Sequence, residues 1–184
     1  MVGLFFCLIF ASLIKTSSMK LELKNIKVNL TFSEETTMFK ADIYANGKKI
    51  GYAENDGHGG CTDYNRYPNQ EEAMKAAEAY AQTLPSDFYE FGGVKREIKM
   101  NLEHWIDKQI DAYVTAKETA KIEKKLAKKM ETKIVIKRAN GTYSELGYNK
   151  NLKIKDLTHD NLVRLISAAK ASLQDGDIIL NKNI

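Results

Sequence analysis

Apolar and polar residues alternate from Leu21 to Phe32, but the stretch Leu23 to Ile26 breaks the period of two and would send the two halves of the run to opposite faces. A bulge near Asn25 restores a single buried face. Phe39, Ala41, Ile43 and Ala45 then alternate up to Asn46-Gly47, and Ile50 and Tyr52 follow. Asn-Gly supplies the positive φ angles of a tight hairpin turn. Residues 20–54 therefore predict a three-stranded antiparallel sheet.

Past a glycine-rich stretch the spacing becomes helical. Asn69 is placed to cap a helix with Glu72 as its reciprocal partner, Met74, Ala77, Tyr80 and Ala81 form the apolar stripe, and Pro85 bounds it. After Gly92-Gly93, Val94, Ile98, Leu102, Trp105, Ile106, Ile110, Tyr113 and Val114 recur at helical intervals, and Ile122, Leu126 and Met130 continue them in steps of four. One long helix is predicted, crossing the sheet and projecting beyond it. Ile134 to Ile136 lead into a second turn at Asn140-Gly141, from which Tyr143 and Leu146 return. Thr158 caps a helix through Leu162, Leu165, Ile166 and Ala169; Gly176 stops it ahead of a strand at Ile178 to Leu180. The fold class is α+β: an N-terminal antiparallel sheet of about three strands packed by a long helix, then a hairpin-helix-strand lobe. Residues 19–131 are the expected core and residues 132–184 a small ββαβ lobe packed on it.

With 184 residues, 43% of them hydrophobic, the chain can bury one ordinary core. The apolar run at the start, MVGLFFCLIFASLI, falls short of the roughly twenty residues a bilayer span requires. Its first positive charge, Lys15, follows the run, whereas a secretory signal carries charge in front. Cys7 lacks the small neighbours of a lipid-attachment site. Met19 opens "MKLELKNIKV", an ordinary start that runs straight into a strand, so residues 1–18 are expected to be an apolar leader or an upstream-start artefact. Without them Cys61 stands alone, no disulfide within the chain is available, and the cytoplasm of a bacterial host is the expected compartment.

The stretch "GYAENDGHGGCTDYNRYP", residues 51–68, gathers the candidate chemistry. Gly57, Gly59 and Gly60 free the backbone to aim several N–H groups at one point, as anion-binding loops do. Tyr52, Tyr64 and Tyr67 offer stacking faces, with Arg66 as a cation between the last two. The spacing matches neither the Walker motif nor the dinucleotide fingerprint, so no cofactor is expected. His58 and Cys61 form an HxxC pair, but the remaining candidates, His104, His159, Asp56 and Asp63, supply no second close pair, and no metal site is expected. Asp56, His58, Cys61 and Asp63 also define the alternative of a small hydrolase or nuclease, with Cys61 as nucleophile beside a histidine base or the carboxylates on a divalent ion.

Charge is uneven along the chain. The formal net charge is +4, yet residues 117–138 carry nine basic residues against three glutamates. On a helix Lys117, Lys121, Lys124, Lys125 and Lys128 fall on neighbouring turns, and with Lys129 they predict a basic patch able to attract nucleic acid or another polyphosphate.

The segment from Lys20 to Tyr64, with its "NDGHGGCTDY" loop, the lysine-rich helix and the terminal "GDIILN", resembles a group of small uncharacterised proteins encoded by bacteriophages and mobile elements. The resemblance covers residues 19–184 and implies a setting rather than an activity. Together these features lead to the expectation of a non-catalytic accessory protein that binds a phosphate-bearing ligand, either a nucleotide signal or nucleic acid, or else a host protein, with counteraction of host defence as its use. The expected ligand residues are Gly57, His58, Gly59, Gly60, Cys61, Asp63, Tyr64, Arg66 and Tyr67, with Lys121, Lys124, Lys125, Lys128 and Lys129 as the basic patch. A third class is an interaction module in which Ile122, Leu126 and Met130 on the protruding helix contact a target or a second copy, giving a homo-oligomer.

Overall fold

A computed structural model describes residues 19–149, 152–182 and 184; the expectations for residues 1–18, Cys7 among them, lie outside the described residues. The chain divides into two compact units whose boundary falls between Ala112 and Tyr113, inside its longest helix. Helices and strands alternate in blocks, and every strand pairing is antiparallel, which makes the class α+β as the sequence predicts.

In the first unit β1 (Leu21–Val28), β2 (Phe39–Ala45), β3 (Lys48–Asn55) and β4 (Asp63–Arg66) form a sheet in sequence order. The bulge expected near Asn25 is present: the register of β1 on β2 shifts between Lys24 and Lys27, and Asn25 takes a φ of 53° while its amide donates to Asp42 at 2.7 Å. Asn46 and Gly47 both have positive φ, as their hairpin turn requires. Phe39, Ala41, Ile43 and Ala45 on β2 are all buried, so the alternation seen in the sequence marks the core face.

Three elements depart from expectation. A fourth strand, β4, follows the glycine-rich loop; "DYNR" has too little apolar content to announce a strand, and its place at the sheet edge comes from pairing with β3. Helix α1 (Glu71–Ala81) buries Met74, Ala77 and Ala81 as predicted, but Asn69 does not cap it. Asn69 adopts a left-handed φ of 61°, and Gln70 occupies the cap position without a side-chain hydrogen bond. Val94 and Ile98 are not helical: β5 (Asp87–Phe91) and β6 (Val94–Ile98) form a hairpin around Gly92-Gly93, whose two positive φ angles make the turn. Helix α2 (Leu102–Met130) starts only after it, with Asn101 Oδ1 accepting from the His104 N–H at 2.7 Å.

Gly51 shows how tightly α1 meets the sheet. A Cβ there would lie 2.5 Å from Met74 Cε and 2.3 Å from the Asn65 carbonyl, so only glycine admits both neighbours.

In the second unit the sheet order is β8-β7-β9, built from β7 (Ile134–Lys137), β8 (Tyr143–Leu146) and β9 (Ile178–Ile179). Ile134 and Ile136 pack with Ile154, Leu165 and Ala169, the last two from α3 (His159–Ala171). Thr158 caps α3 as expected, accepting from the Asn161 N–H at 3.4 Å. Asn181 extends the sheet with its side chain, accepting from the Val135 N–H at 2.8 Å and donating to the Lys133 carbonyl at 2.9 Å. Arg138 reaches Asp177 at 2.6 Å and clamps the turn before β9.

Candidate functional site

The glycine-rich loop joins β3 to β4 and folds against residues 32–38, the connection between β1 and β2. Asn55, almost fully buried, organises it: its Oδ1 accepts from the Gly57 N–H at 2.9 Å and from the Thr36 hydroxyl at 2.7 Å. Thr36 Oγ1 in turn accepts from the Gly59 N–H at 3.2 Å, and Asp56 Oδ1 accepts from the His58 N–H at 3.1 Å. Gly57 turns its carbonyl to the Glu34 and Glu35 N–H groups at 2.8 and 3.2 Å. The N–H groups of Gly57, His58 and Gly59 are thus already spent on acceptors of the chain itself.

The charge around the loop is negative. Thr62 donates from its backbone to Glu103 at 3.2 Å and from its hydroxyl to Asp107 at 2.6 Å, which ties the loop to α2. Glu35, Asp107 and Asp111 line a cavity of about 260 Å³ that Gly60 and Thr62 also border. A larger cleft of about 610 Å³ holds Asp56, Cys61 and Asp63 together with Lys27 and Lys40. Burial pushes the Asp107 carboxyl above its ordinary range, with the Glu103 and Asp111 charges adding to the effect against the Thr62 hydrogen bond. Glu103 raises the Cys61 thiol, and Asp107 and Asp63 add to it. A nucleophilic cysteine needs the opposite field, and His58 Nδ1 faces Glu34 at 3.3 Å.

Among the expected ligand residues, Gly57, His58, Gly59, Gly60, Cys61 and Asp63 are neighbours in this loop. Tyr64, Arg66 and Tyr67 are carried away from it by β4, whose rise of about 3.3 Å per residue sets Arg66 roughly 10 Å along the strand from Asp63. Each has its own partner there: the Tyr64 hydroxyl meets Glu78 at 3.2 Å, Arg66 pairs with Glu71 at 2.7 Å, and the Tyr67 ring sits 5.9 Å from Tyr52 with the Lys49 ammonium 4.8 Å over its face. Sequence reasoning missed Thr36, Glu103 and Asp107, which the topology brings to the loop from distant segments. Asn55 had a signal, since asparagine two residues ahead of glycine is a common side-chain turn.

The lysines of α2 have different surroundings. Lys121, Lys124, Lys125 and Lys128 are exposed, and among the described residues none has a carboxylate within ion-pair distance. At about 100° per residue, they and Lys117 fall within an arc of roughly 100° over about 16 Å of helix. Lys129 lies at the margin of that arc and is committed to Glu145, as is Lys133. Ile122 is exposed as well, Leu126 and Met130 are half-buried, and no helix among the described residues is long and apolar enough to cross a membrane. The chain matches no protein-family model, no curated protein and no solved structure.

Proposed function

We propose that this is a non-catalytic binding protein that engages the phosphate backbone of a nucleic acid along the lysine face of α2, in the bacteriophage or mobile-element setting that the sequence resemblance implies. The observation that carries this reading is the unpaired state of Lys121, Lys124, Lys125 and Lys128 on one exposed helical arc. Unpaired lysines on successive turns, about 5 Å apart along an axis, suit an extended polyanion better than one nucleotide. The glycine-rich loop supports the reading by contrast, because the N–H groups of Gly57, His58 and Gly59 are occupied and the carboxylates around the loop repel phosphate.

Fluorescence anisotropy with a labelled duplex across a salt series tests it. Four to five neutralised phosphates predict that log K falls with log[salt] at a slope of about −4. The double variant Lys121→Glu/Lys125→Glu should lose binding, while Arg66→Ala, whose guanidinium is already paired with Glu71, should keep it, and the labelled duplex should be recovered uncut. No binding at low salt, or binding that Lys121→Glu/Lys125→Glu leaves unchanged, rules the helix face out.

A further inference from the structure

The hairpin β5–β6 pairs with neither larger sheet: among the described residues its strands form ladder pairs only with each other. Phe88, Tyr89, Phe91 and Val94 are all exposed on it, Phe91 to 72%. A lone two-stranded hairpin is marginal in water, and each of its edges presents open backbone donors and acceptors. We propose that β6 of one molecule pairs antiparallel with β6 of a second copy about a two-fold axis through Arg96, giving a homodimer with a continuous four-stranded sheet. The proposal is independent of nucleic-acid binding.

Register chooses the occupant. The turn at Gly92-Gly93, with Phe91 opposite Val94, directs the backbone groups of Val94, Arg96 and Ile98 toward β5. Those of Lys95 and Glu97 face the free edge. Opposed residues of two copies must therefore share parity, and a two-fold axis leaves three central registers. With Lys95 on the axis, Lys95 opposes itself. With Glu97 on the axis, Glu97 opposes itself and Lys95 meets Lys99. With Arg96 on the axis, Lys95 meets Glu97 twice at the hydrogen-bonded positions and Val94 meets Ile98 twice at the others.

Only that last register pairs opposite charges, at the cost of one Arg96–Arg96 contact on an exposed axis. The edge of β5 offers nothing comparable, because Asp87 and Glu90 are both acidic. Within one molecule these β6 charges are uncommitted: Arg96 and Glu97 have no ion-pair partner among the described residues, and the Lys95 ammonium rests 4.6 Å over the Phe88 ring. Charged side chains usually blunt a sheet edge against unrelated strands. The order Val-Lys-Arg-Glu-Ile does that while remaining complementary to its own reverse.

Sedimentation velocity of the full chain over a wide concentration range tests the proposal, with thermal melts confirming that each variant folds. The unaltered chain should show a concentration-dependent dimer. Lys95→Glu and Glu97→Lys, each placing like charges opposite one another at two symmetric positions, should each weaken it on the order of tenfold or more. The exchange Lys95→Glu/Glu97→Lys should restore it, and Arg96→Gln should tighten it by relieving the axial contact. A chain that stays monomeric at every concentration, a dimer indifferent to the single reversals, or a double exchange that fails to recover association would overturn the proposal.

Discussion

Gly57 and Gly60 both hold left-handed φ angles, 89° and 96°, yet they answer to different constraints. A Cβ on Gly57 would lie 2.7 Å from the Phe32 carbonyl and 2.9 Å from Met38 Cβ, whereas one on Gly60 meets nothing within 4 Å. Gly57→Ala should therefore cost about 3 kcal/mol, backbone strain plus a clash against main chain, and Gly60→Ala about 1–2 kcal/mol for strain alone. Urea unfolding midpoints measure the difference, and equal costs would count against the packed geometry of Gly57. The glycines were legible in the sequence as turn formers. Which one also needs space was not, because the atoms that exclude a side chain belong to the connection between β1 and β2. The same limit hid Asp107, which lies forty-five positions from Thr62 and becomes its partner only through the fold.

Periodicity is decided at the scale of elements, and Val94 and Ile98 show where it misleads. Their spacing of four fits a helix, but they also lie an even number of residues apart, so they share one face of a strand equally well. The decisive signal was Gly92-Gly93 between "DFYEF" and "VKREI", a two-residue turn of the kind that closes a hairpin. Asn-Gly at 46–47 carries the same kind of turn signal, and the strands on either side of it stand where the alternation places them. The start of α2 moves accordingly to Asn101, whose side chain accepts from the His104 N–H. Asn101→Ala should cost about 1 kcal/mol in thermal or urea unfolding, and Asn101→Ser should recover most of it, since serine serves the same capping geometry. No loss on Asn101→Ala would return the helix start to an uncapped end.

Across the whole molecule, carboxylates with opposite surroundings give opposite pH dependences. Lys129 and then Lys133 hold Glu145 below its ordinary range, and the Gln174 N–H and Arg138 do the same for Asp177. A carboxylate lowered in the folded state contributes stability that is present above its unfolded pKa, about 4.3 for Glu and 3.9 for Asp, and lost as pH falls through the folded value. Asp107, raised by burial, has the reverse sign: the folded state holds the proton more tightly, so stability is lost as pH rises from the unfolded value through the folded one. Asp107→Asn keeps an acceptor for the Thr62 hydroxyl and removes the charge. It should leave stability nearly unchanged in strong acid and raise it at neutral pH, by up to about 1 kcal/mol. Glu145→Gln should lower stability at neutral pH, with the loss vanishing as the medium is acidified. Melting temperatures across a pH series give the two difference curves, and Trp105, the chain's single tryptophan, reports by fluorescence on the unit that contains Asp107. Curves of the same sign for the two variants would contradict the burial of Asp107.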